Sequence, residues 1–327
     1  MKVRISFLRR VFQIVSFILI IWGGVLIFDG RKANLPSVFV VARAPNDFKQ
    51  MVFTKNAPPY NQPYNLYLTF RSCRYARNTG LFRGCMYHFF QEILSWKDPL
   101  RVWGPYMLLI LLLAILLGRF TCGWICPIGF LQEVLASIRK FFKIKRIKIG
   151  EKVSKKMRIA GIFMIVFVLI LAYLAADKSL AWGIRDGIYL AGCQMCPSRI
   201  ISSLLTGYPV LLDLWRPLFR IFFIICVIFL LFIIGSIFIN RLWCRICPNG
   251  IVLSYFNKGK CLVKEKDLLK CTRCGVCANE CSMEETKVYE EKSKEVIDHF
   301  NCVSCFKCVE SCPEKALKVK FLGLRIF

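Results

Sequence analysis

Four long apolar stretches dominate the pattern of hydrophobic and polar positions along the chain. Each approaches the ~20 residues that an α-helix needs to cross the ~30 Å hydrocarbon core of a bilayer. The pattern therefore predicts an α-helical integral membrane protein with about four transmembrane helices. The predicted helices cover about residues 11–28, 102–118, 159–176 and 221–239.

The first apolar stretch follows a basic N-terminus that carries Lys2, Arg4, Arg9 and Arg10. A cleaved signal peptide would have a shorter apolar region and a cleavage site of small residues. Asp29 and the basic residues after it do not form such a site, so we expect an uncleaved transmembrane helix.

The composition agrees with a membrane protein. Of the 327 residues, 56% are hydrophobic, and the mean hydropathy is +0.51. This is too apolar for a pair of soluble domains. The formal net charge is +27, which we interpret as basic loops that face anionic membrane lipid and not as a nucleic-acid-binding surface.

The distribution of Lys and Arg predicts the orientation. Ten basic residues and one Glu lie between Arg139 and Arg158, whereas residues 177–217 carry four basic and three acidic residues. By the positive-inside rule, both termini and residues 119–158 lie in the cytoplasm of a multi-pass protein of the cytoplasmic membrane. The loops 29–101 and 177–217 are then external, although 29–101 carries eleven basic and four acidic residues.

Tryptophan side chains also fall near the predicted edges of the membrane. Such positions are typical of an interfacial aromatic belt. The residues concerned are Trp103, Trp124, Trp182, Trp215 and Trp243.

Cysteines near the C-terminus form a repeated pattern. The run C-x2-C-x2-C-x3-C occupies residues 271–281 and again 302–312. Three thiolates on one tight loop can bind three corners of a [4Fe–4S] cubane, and the fourth corner must be reached from elsewhere. The pattern resembles the bacterial-type ferredoxins that bind two [4Fe–4S] clusters, over about residues 262–320. Ser282 departs from it, because a proline usually follows the fourth cysteine.

The resemblance to ferredoxins implies two ligand sets, because the fourth cysteine of each run binds the other cluster in those proteins. The first ferredoxin set is Cys271, Cys274, Cys277 and Cys312, and the second ferredoxin set is Cys302, Cys305, Cys308 and Cys281. Structural zinc sites usually have two separated C-x2-C pairs, and a disulfide framework fits such close, regular cysteines poorly. We predict a membrane domain over residues 1–258 and a cytoplasmic α+β ferredoxin-like domain over 259–327.

Two similar motifs end the second and fourth predicted helices. Residues 119–129 and 241–250 both follow R-x2-C-x2/3-C-P-x-G, which indicates a two-half pseudo-repeat. Proline favours the first turn of a helix. Apolar positions after Pro127 recur at helical spacing, which predicts an amphipathic helix along the inner surface. A helix that begins at a Cys-Pro pair also directs its N-terminal N–H groups toward an anionic cluster.

The cysteines of these motifs are candidate ligands of a third [4Fe–4S] cluster if the two halves pack side by side. The alternative is that they are small buried residues that pack helix ends. We call them the inner four cysteines: Cys122, Cys126, Cys244 and Cys247.

Four further cysteines lie in the two external loops, and each half again contributes two. They are candidate ligands of a fourth cluster, and disulfide bonds, which an external compartment permits, are an equally open alternative. We call Cys73, Cys85, Cys193 and Cys196 the outer four cysteines. Cys226 and Cys261 have no obvious partner and are interpreted as structural.

The chain resembles the NapH/NosR-type membrane iron–sulfur proteins over about residues 100–320. The shared features are several membrane helices, Cys-Pro motifs and a C-terminal two-cluster ferredoxin domain. The motif at Cys122–Pro127 fits the family, whereas the second motif has two residues, not three, between Cys244 and Cys247. The resemblance implies an electron-transfer partner of quinol oxidation, of periplasmic reductases or of oxidase assembly.

Function follows from the cofactors that the cysteines imply. The sequence shows no catalytic acid–base constellation, no dinucleotide-binding motif and no P-loop. We therefore expect an electron-transfer subunit of an oxidoreductase complex and not a stand-alone enzyme, with a quinone or a protein as redox partner. The alternative is a redox assembly, maturation or regulatory factor for a respiratory metalloenzyme.

Overall fold

The computed structural model describes residues 5–27, 67–69, 73, 84–96, 100–176, 188, 190–206, 219–258, 261–292, 299–321 and 324–325. Every structural statement below concerns these residues. Two of the predicted interfacial tryptophans, Trp182 and Trp215, and much of the predicted external loops lie outside them.

Long helices occupy the places of the four predicted transmembrane segments. They are α1 (Ile5–Ile27), α3 (Leu100–Leu117), α6 (Glu151–Leu174) and α9 (Phe219–Phe238). The helix α6 begins before the apolar stretch, since the polar segment ahead of it is helical and Glu151 in the first turn suits the positive end of the helix dipole.

Two helices in the described part of the chain are long and apolar enough to cross a membrane: Ile5–Gly23 within α1, and Glu151–Leu174. Trp103–Leu117 and Cys226–Phe238 are apolar but shorter. The described part of the chain is therefore mainly helical, with two candidate membrane spans, and the count of four membrane crossings stays a prediction.

The longest described helix that was not predicted from the sequence lies in a predicted external loop. The helix α2 (Met86–Trp96) lies inside the predicted external loop 29–101. Its polar residues interrupt the apolar run, yet Gln91 and Glu92 are fully buried and His88 is 5% exposed. A prediction based on hydropathy missed this helix because its buried residues include these polar side chains.

The remaining elements are short. Before the ferredoxin motifs they are α4 (Phe120–Trp124), α5 (Pro127–Phe141), α7 (Ala191–Gln194), α8 (Ser198–Thr206), α10 (Leu242–Ile246), α11 (Pro248–Tyr255) and the 3-10 turn Phe256–Lys258. The C-terminal part contains α12 (Val276–Asn279), α13 (Lys287–Glu290) and α14 (Lys307–Glu310). The strands are β1 (Tyr67–Leu68), β2 (Gly84–Cys85), β3 (Leu262–Lys266), β4 (Leu317–Phe321) and β5 (Leu324–Arg325).

The chain forms two compact units. The first comprises residues 1–15, 111–161 and 235–327, and the second comprises 16–110 and 162–234. The first unit contains the antiparallel sheet β3-β4-β5, in which Leu262 pairs with Phe321. In the second unit β1 and β2 pair in parallel, and α2 packs against α7.

Trp124 has a different place from the one predicted. Its indole is 7% exposed and packs with Leu262, Phe306 and Val319 in the core of the first unit. Its Nε1 donates a 2.9 Å hydrogen bond to the carbonyl oxygen of Ser304. The side chain therefore joins α4 to the second ferredoxin loop and is not part of a lipid-facing belt.

Candidate metal centres

The two ferredoxin motifs form similar tight loops. Each loop continues into a single helical turn, α12 or α14, and the residue before that turn has left-handed backbone geometry, with φ of 76° at Gly275 and 55° at Phe306. This geometry reverses the chain between the second and third cysteines of each motif. Three sulfurs of one loop can therefore face the same volume.

The first ferredoxin set comes together across the two loops. All four cysteines line one small cavity, together with Pro313. Burial raises the pKa of Cys277, and repulsion from the thiolates of Cys271, Cys274 and Cys312 raises it further. The fourth cysteine of the second motif thus lies beside the first three cysteines of the first motif.

The second ferredoxin set also comes together. Burial raises the pKa of Cys281 to about 11, and repulsion from Cys305 and Cys302 adds to this rise. The pKa of Cys308 is raised by burial and then by Cys305, Cys302 and Cys281, against the opposing charge of Lys264. Cys281 therefore neighbours the cysteines of the other motif, as the ferredoxin-like exchange requires.

Polar groups surround the sulfurs of the second ferredoxin set. The buried Lys264 donates from Nζ to the Cys302 sulfur at 2.9 Å, and the Ser304 N–H lies 3.3 Å from the same sulfur. The Ser282 hydroxyl lies 3.7 Å from the sulfur of Cys305. Hydrogen bonds to sulfur favour the charged thiolate that binds iron.

Three basic side chains interact electrostatically with Cys305. Burial acts to raise its pKa, but Arg9, Lys307 and Arg241 outweigh burial and lower it. These three cations meet at Glu133, where Arg9 and Arg241 approach the carboxylate at 2.8 and 2.6 Å and Lys307 at 3.8 Å. Burial opposes the charge on Glu133, but Arg241, Lys307 and Arg9 hold its pKa at about 2. The carboxylate thus partly neutralises the cations near Cys305.

The inner four cysteines are all buried and interact with one another. Cys126 and Cys247 are the N-cap residues of α5 and α11, and a proline follows each at the first helical position, as the sequence predicted. Burial raises the pKa of Cys122 to about 12; Arg119 opposes the rise, and repulsion from Cys126, Cys244 and Cys247 adds to it.

A buried glutamine holds one of these cysteines. Gln132 on α5 donates from Nε2 to the sulfur of Cys244 at 3.4 Å and to the carbonyl of Ile128 at 3.3 Å. Its Oε1 accepts a 2.9 Å hydrogen bond from the N–H of Trp243. Gln132 is fully buried, so the amide fixes both the backbone before Cys244 and its sulfur.

Two buried arginines link the halves of the inner site. Arg119 donates from Nη2 to the carbonyl of Cys244 at 2.6 Å, and Arg241 donates from Nη1 to the carbonyl of Cys122 at 3.0 Å. Gly129 and Gly250 leave room for these contacts. An added Cβ at Gly129 would meet the carbonyl oxygen of Cys122 at 2.6 Å, and one at Gly250 would meet Arg119 Nη2 at 3.0 Å and the carbonyl oxygen of Cys244 at 3.2 Å. The last glycine of each motif thus lies against the cysteine carbonyl that accepts from the arginine of the other motif.

The inner site lies next to the second ferredoxin set. Arg241 interacts electrostatically with both Cys244 and Cys305, and Arg245 interacts with both Cys281 and Cys244. A Cβ at Gly123 would overlap the carbonyl oxygen of Val303. The backbone of the first Cys-Pro motif therefore contacts the second ferredoxin loop directly.

The outer four cysteines all belong to the second unit. Cys85 is the last residue of β2 and directly precedes α2, Cys193 lies in α7, and Cys196 precedes α8. Cys85 and Cys196 are buried, whereas Cys73 and Cys193 are partly exposed. In the described part of the chain no disulfide bond joins two cysteines. Cys226, in α9, and Cys261 are also partly exposed.

The cysteine sets suit an iron–sulfur cluster by the chemistry of their donors, since thiolates are the ligands of [4Fe–4S] clusters. Among the described residues, no group of three or more His, Cys, Asp or Glu side chains is arranged to hold a single metal ion. A cubane presents a separate iron to each cysteine, so the sulfurs of its ligands stand farther apart than the donors around one ion.

The sequence did not predict the buried polar residues around the sulfurs. Gln132, Glu133 and Lys264 have apolar or charged neighbours in the sequence and are not part of a recognisable motif. One signal was available: Gln132 follows Cys126 in the pattern C-x5-Q, and Gln91 follows Cys85 in the same pattern.

Comparison with protein families identifies two kinds of iron–sulfur domain. A 4Fe-4S binding domain matches residues 103–145 and 220–266, which contain the inner four cysteines. A 4Fe-4S dicluster domain matches residues 264–313, which contain both ferredoxin sets. No solved structure matches the chain.

Similar proteins cover much of the chain. The uncharacterized protein MJ0750 of Methanocaldococcus jannaschii is 29% identical over 66% of this chain and 77% of its own length. The ferredoxin-type protein NapH of Escherichia coli is 23% identical over 70% of this chain and 71% of its own length. The regulatory protein NosR of Stutzerimonas stutzeri is 25% identical over 57% of this chain and 22% of its own length. The chain is thus similar over more than half of its length to the proteins named NapH and NosR, and it matches two kinds of 4Fe-4S domain.

Proposed function

We propose that this chain is a membrane iron–sulfur protein that passes single electrons between [4Fe–4S] clusters in its first compact unit and a redox partner at the membrane. The observation that carries the proposal is the succession of three cysteine sets in that unit. The first ferredoxin set adjoins the second, and the second adjoins the inner four cysteines. Both kinds of matching domain bind 4Fe-4S clusters.

Contacts between neighbouring sets support an electron path. Cys308 of the second ferredoxin set packs in one apolar cluster with Cys277 and Cys312 of the first. Arg241 and Arg245 each interact with one cysteine of the second set and with Cys244. An electron that enters at the first ferredoxin set would therefore reach the inner four cysteines by two short steps.

A [4Fe–4S] cluster supplies one-electron oxidation and reduction when bound. The residues of the chain supply position and electrostatics. The cysteines hold the iron. The buried aromatic rings of Trp124 and Phe306 exclude water between α4 and the second ferredoxin loop. Lys264 donates a hydrogen bond to the sulfur of Cys302. Positive charge near a cluster favours its reduced form, because reduction adds a negative charge.

We place the partner site at a cavity of about 630 Å³ beside α5. Its lining includes Gln132 and Glu133 near the inner site and Cys281 of the second ferredoxin set, with Ile14, Phe130 and Ile138 among its apolar walls. This volume lies in the range of small-molecule sites, so a quinone head group or a partner's side chain can approach both cysteine sets here. Ile138→Trp should fill the cavity and slow quinol-dependent cluster reduction, while the iron content stays unchanged.

The membrane arrangement is part of the same proposal. Four crossings, at α1, α3, α6 and α9, would place both termini and the ferredoxin domain in the cytoplasm. Reporter fusions after Phe28 and after Gly118 should then lie on opposite sides of the membrane. Equal cytoplasmic activity at both positions would refute four crossings.

Paired substitutions test the inner site. Cys126→Ser and Cys247→Ser come from different halves, and each should abolish the same paramagnetic signal while the two ferredoxin signals persist. Cys226→Ser is the control, because that cysteine belongs to none of the proposed ligand sets. Independent effects, or none, would mean that the inner four cysteines only pack helix ends.

The second candidate function is a redox assembly, maturation or regulatory factor for a respiratory metalloenzyme. The relative NosR is named a regulatory protein, which supports it. Purification from native membranes distinguishes the two functions. A partner oxidoreductase at equal stoichiometry supports electron transfer as a subunit, and a chain that is isolated alone but reduces a metal or thiol in an immature enzyme supports the second function.

A further inference from the structure

Gln132 contacts the inner site through three groups. Its Nε2 reaches the carbonyl one turn earlier on its own helix and the sulfur of Cys244, and its Oε1 accepts from the N–H of the residue before that cysteine. Both hydrogen-bonding ends of the amide are used, and the side chain is fully buried. Such an arrangement orients the cysteine sulfur and stabilises it as a thiolate.

Gln91 in the second unit makes the same three contacts. Its Nε2 donates to the carbonyl of Tyr87, one turn earlier, at 3.0 Å and to the sulfur of Cys193 at 3.6 Å. Its Oε1 accepts a 3.0 Å hydrogen bond from the N–H of Gly192, the residue before Cys193. Gln91 is also fully buried.

The backbone around Gln91 also resembles the backbone around Gln132. Cys85 and Cys126 each directly precede the helix that carries the glutamine, and each glutamine follows its cysteine as C-x5-Q. Cys193 and Cys244 each begin a C-x2-C-P motif.

The turn before each of these motifs is also the same. The N-cap residue of α7 is Leu190, with φ 53° and ψ 37°, and that of α10 is Arg241, with φ 50° and ψ 43°. Both residues adopt the left-handed conformation that non-glycine residues rarely take.

Close packing holds the second arrangement together. A Cβ at Gly192 would overlap the ring of Tyr87, so the backbone of α7 lies directly against this side chain of α2. Cys85 and Tyr87 also pack with the fully buried Val168. Cys85, which directly precedes α2, and Cys193, which lies in α7, are therefore held by close packing and do not lie in a loose external loop.

From these correspondences we infer that the outer four cysteines form a fourth [4Fe–4S] site with the construction of the inner site. Cys85, Cys193 and Cys196 take the roles of Cys126, Cys244 and Cys247. Cys73, as the remaining cysteine of the set, is assigned the role of Cys122. The inference rests on the proposed function, because it requires that the inner site itself binds a cluster. The amide N–H of Gln91 suits a thiolate sulfur, which accepts a hydrogen bond better than a disulfide sulfur does, so the site favours iron over a disulfide.

Iron and acid-labile sulfide, measured per chain after anaerobic purification in detergent, test the inference. We expect about 16 iron atoms in the wild-type protein, four per cluster, and about 12 in the double variant Cys193→Ser/Cys196→Ser. The variant should keep the ferredoxin and inner-site signals, which also shows that it folds. An unchanged iron content in this variant would overturn the fourth site.

The double variant Cys126→Ser/Cys247→Ser separates the inference from the proposed function. A loss of about four iron atoms in this variant alone supports the inner site and refutes the outer one. A loss in neither variant refutes the proposed inner cluster, and with it the inference.

Two measurements do not depend on loss of a ligand. Gln91→Leu should shift only the outer-site signal and Gln132→Leu only the inner-site signal; a Gln91→Leu variant that leaves every signal unchanged would contradict the role of the amide. In the wild-type chain, thiol labelling under denaturing, non-reducing conditions after iron removal should modify all four outer cysteines. Cysteines that react only after a reductant is added would mean disulfide bonds and would overturn the inference.

Discussion

Arg119 donates a 2.6 Å hydrogen bond to the carbonyl oxygen of Cys244, a residue of the other half of the repeat. Arg241 in turn donates a 3.0 Å hydrogen bond to the carbonyl oxygen of Cys122. Both guanidinium groups are almost fully buried. Each half therefore holds the cysteine loop of its counterpart, and the inner four cysteines are assembled only when both halves are in place.

Arg119→Gln should weaken the inner site. The variant loses the charged donors to the carbonyl of Cys244 and to the hydroxyl of Ser254, and each lost hydrogen bond of a charged group is worth about 1.5–3 kcal/mol. We expect a lower midpoint in denaturant and loss of the inner-site signal. Lys155→Gln, at a side chain that is 60% exposed, is the control and should leave both unchanged. A normal inner signal and midpoint in Arg119→Gln would contradict the role of this arginine.

Gly123→Ala should separate the inner site from the second ferredoxin set. The new methyl group would overlap the carbonyl of Val303, so the ferredoxin loop must move away from α4. We expect slower electron exchange between the two clusters in freeze-quench spectroscopy, with both clusters retained. Gly150→Ala is the matched control, since a Cβ there meets nothing within 4 Å. Equal rates in the two variants would show that this contact does not set the distance.

Glu133→Gln should raise the reduction potential of the cluster at the second ferredoxin set. The substitution removes the negative charge that neutralises Arg9, Arg241 and Lys307 near Cys305. We expect a rise of about 30–60 mV, or ~0.7–1.4 kcal/mol for one electron, in a redox titration followed by electron paramagnetic resonance. A fall in potential would contradict this assignment.

The same carboxylate predicts a pH dependence. The pKa of Glu133 is held at about 2 in the folded protein, below the unfolded value of about 4.3. Its contribution to stability is therefore complete above about pH 5.5 and is lost as the pH falls through about 2. The difference in unfolding free energy between the wild type and Glu133→Gln should be constant from about pH 6 to 8. If this difference changed with pH in that range, the pKa of Glu133 would have to lie near neutrality, which would contradict the prediction.

Lys264→Met should lower the potential of the same cluster. The variant removes the ammonium group that donates to the Cys302 sulfur at 2.9 Å. We expect a fall of about 30–60 mV. Lys266→Met is the comparison, because Lys266 lies on the same strand with the same 2% exposure but donates to the backbone carbonyls of residues 288, 289 and 291. Lys266→Met should lower the stability of the protein without a similar fall in the reduction potential. Equal falls in potential in both variants would exclude a specific effect of Lys264.

The sequence predicted those features that local pattern determines. Hydropathy located α1, α3, α6 and α9, and the Cys-Pro pairs located the starts of α5 and α11, because proline suits the first turn of a helix. The cysteine spacing predicted a 4Fe-4S ferredoxin-type domain, which the family comparison confirms, while the number of clusters stays a prediction.

Features that depend on tertiary contacts escaped prediction. Helix α2 was missed because its polar residues His88, Gln91 and Glu92 interrupt the apolar run and are buried only in the folded unit, where Gln91 bonds to Gly192 and Cys193. Trp124 was assigned to a lipid interface, although its indole finds an acceptor at Ser304. No local pattern encodes contacts between residues so distant along the chain.

Clusters held by the second ferredoxin set and by the inner four cysteines should exchange electrons within one unit of the protein. The most direct test is electron paramagnetic resonance of the anaerobically purified protein during stepwise reduction. We predict separate [4Fe–4S] signals and an additional spin–spin broadening of the second ferredoxin signal once the inner site is also reduced. This additional broadening should be lost in Cys126→Ser, whereas the broadening between the two ferredoxin clusters should remain. An inner-site signal that adds no broadening, or an additional broadening that persists in Cys126→Ser, would contradict electron exchange between these two sites.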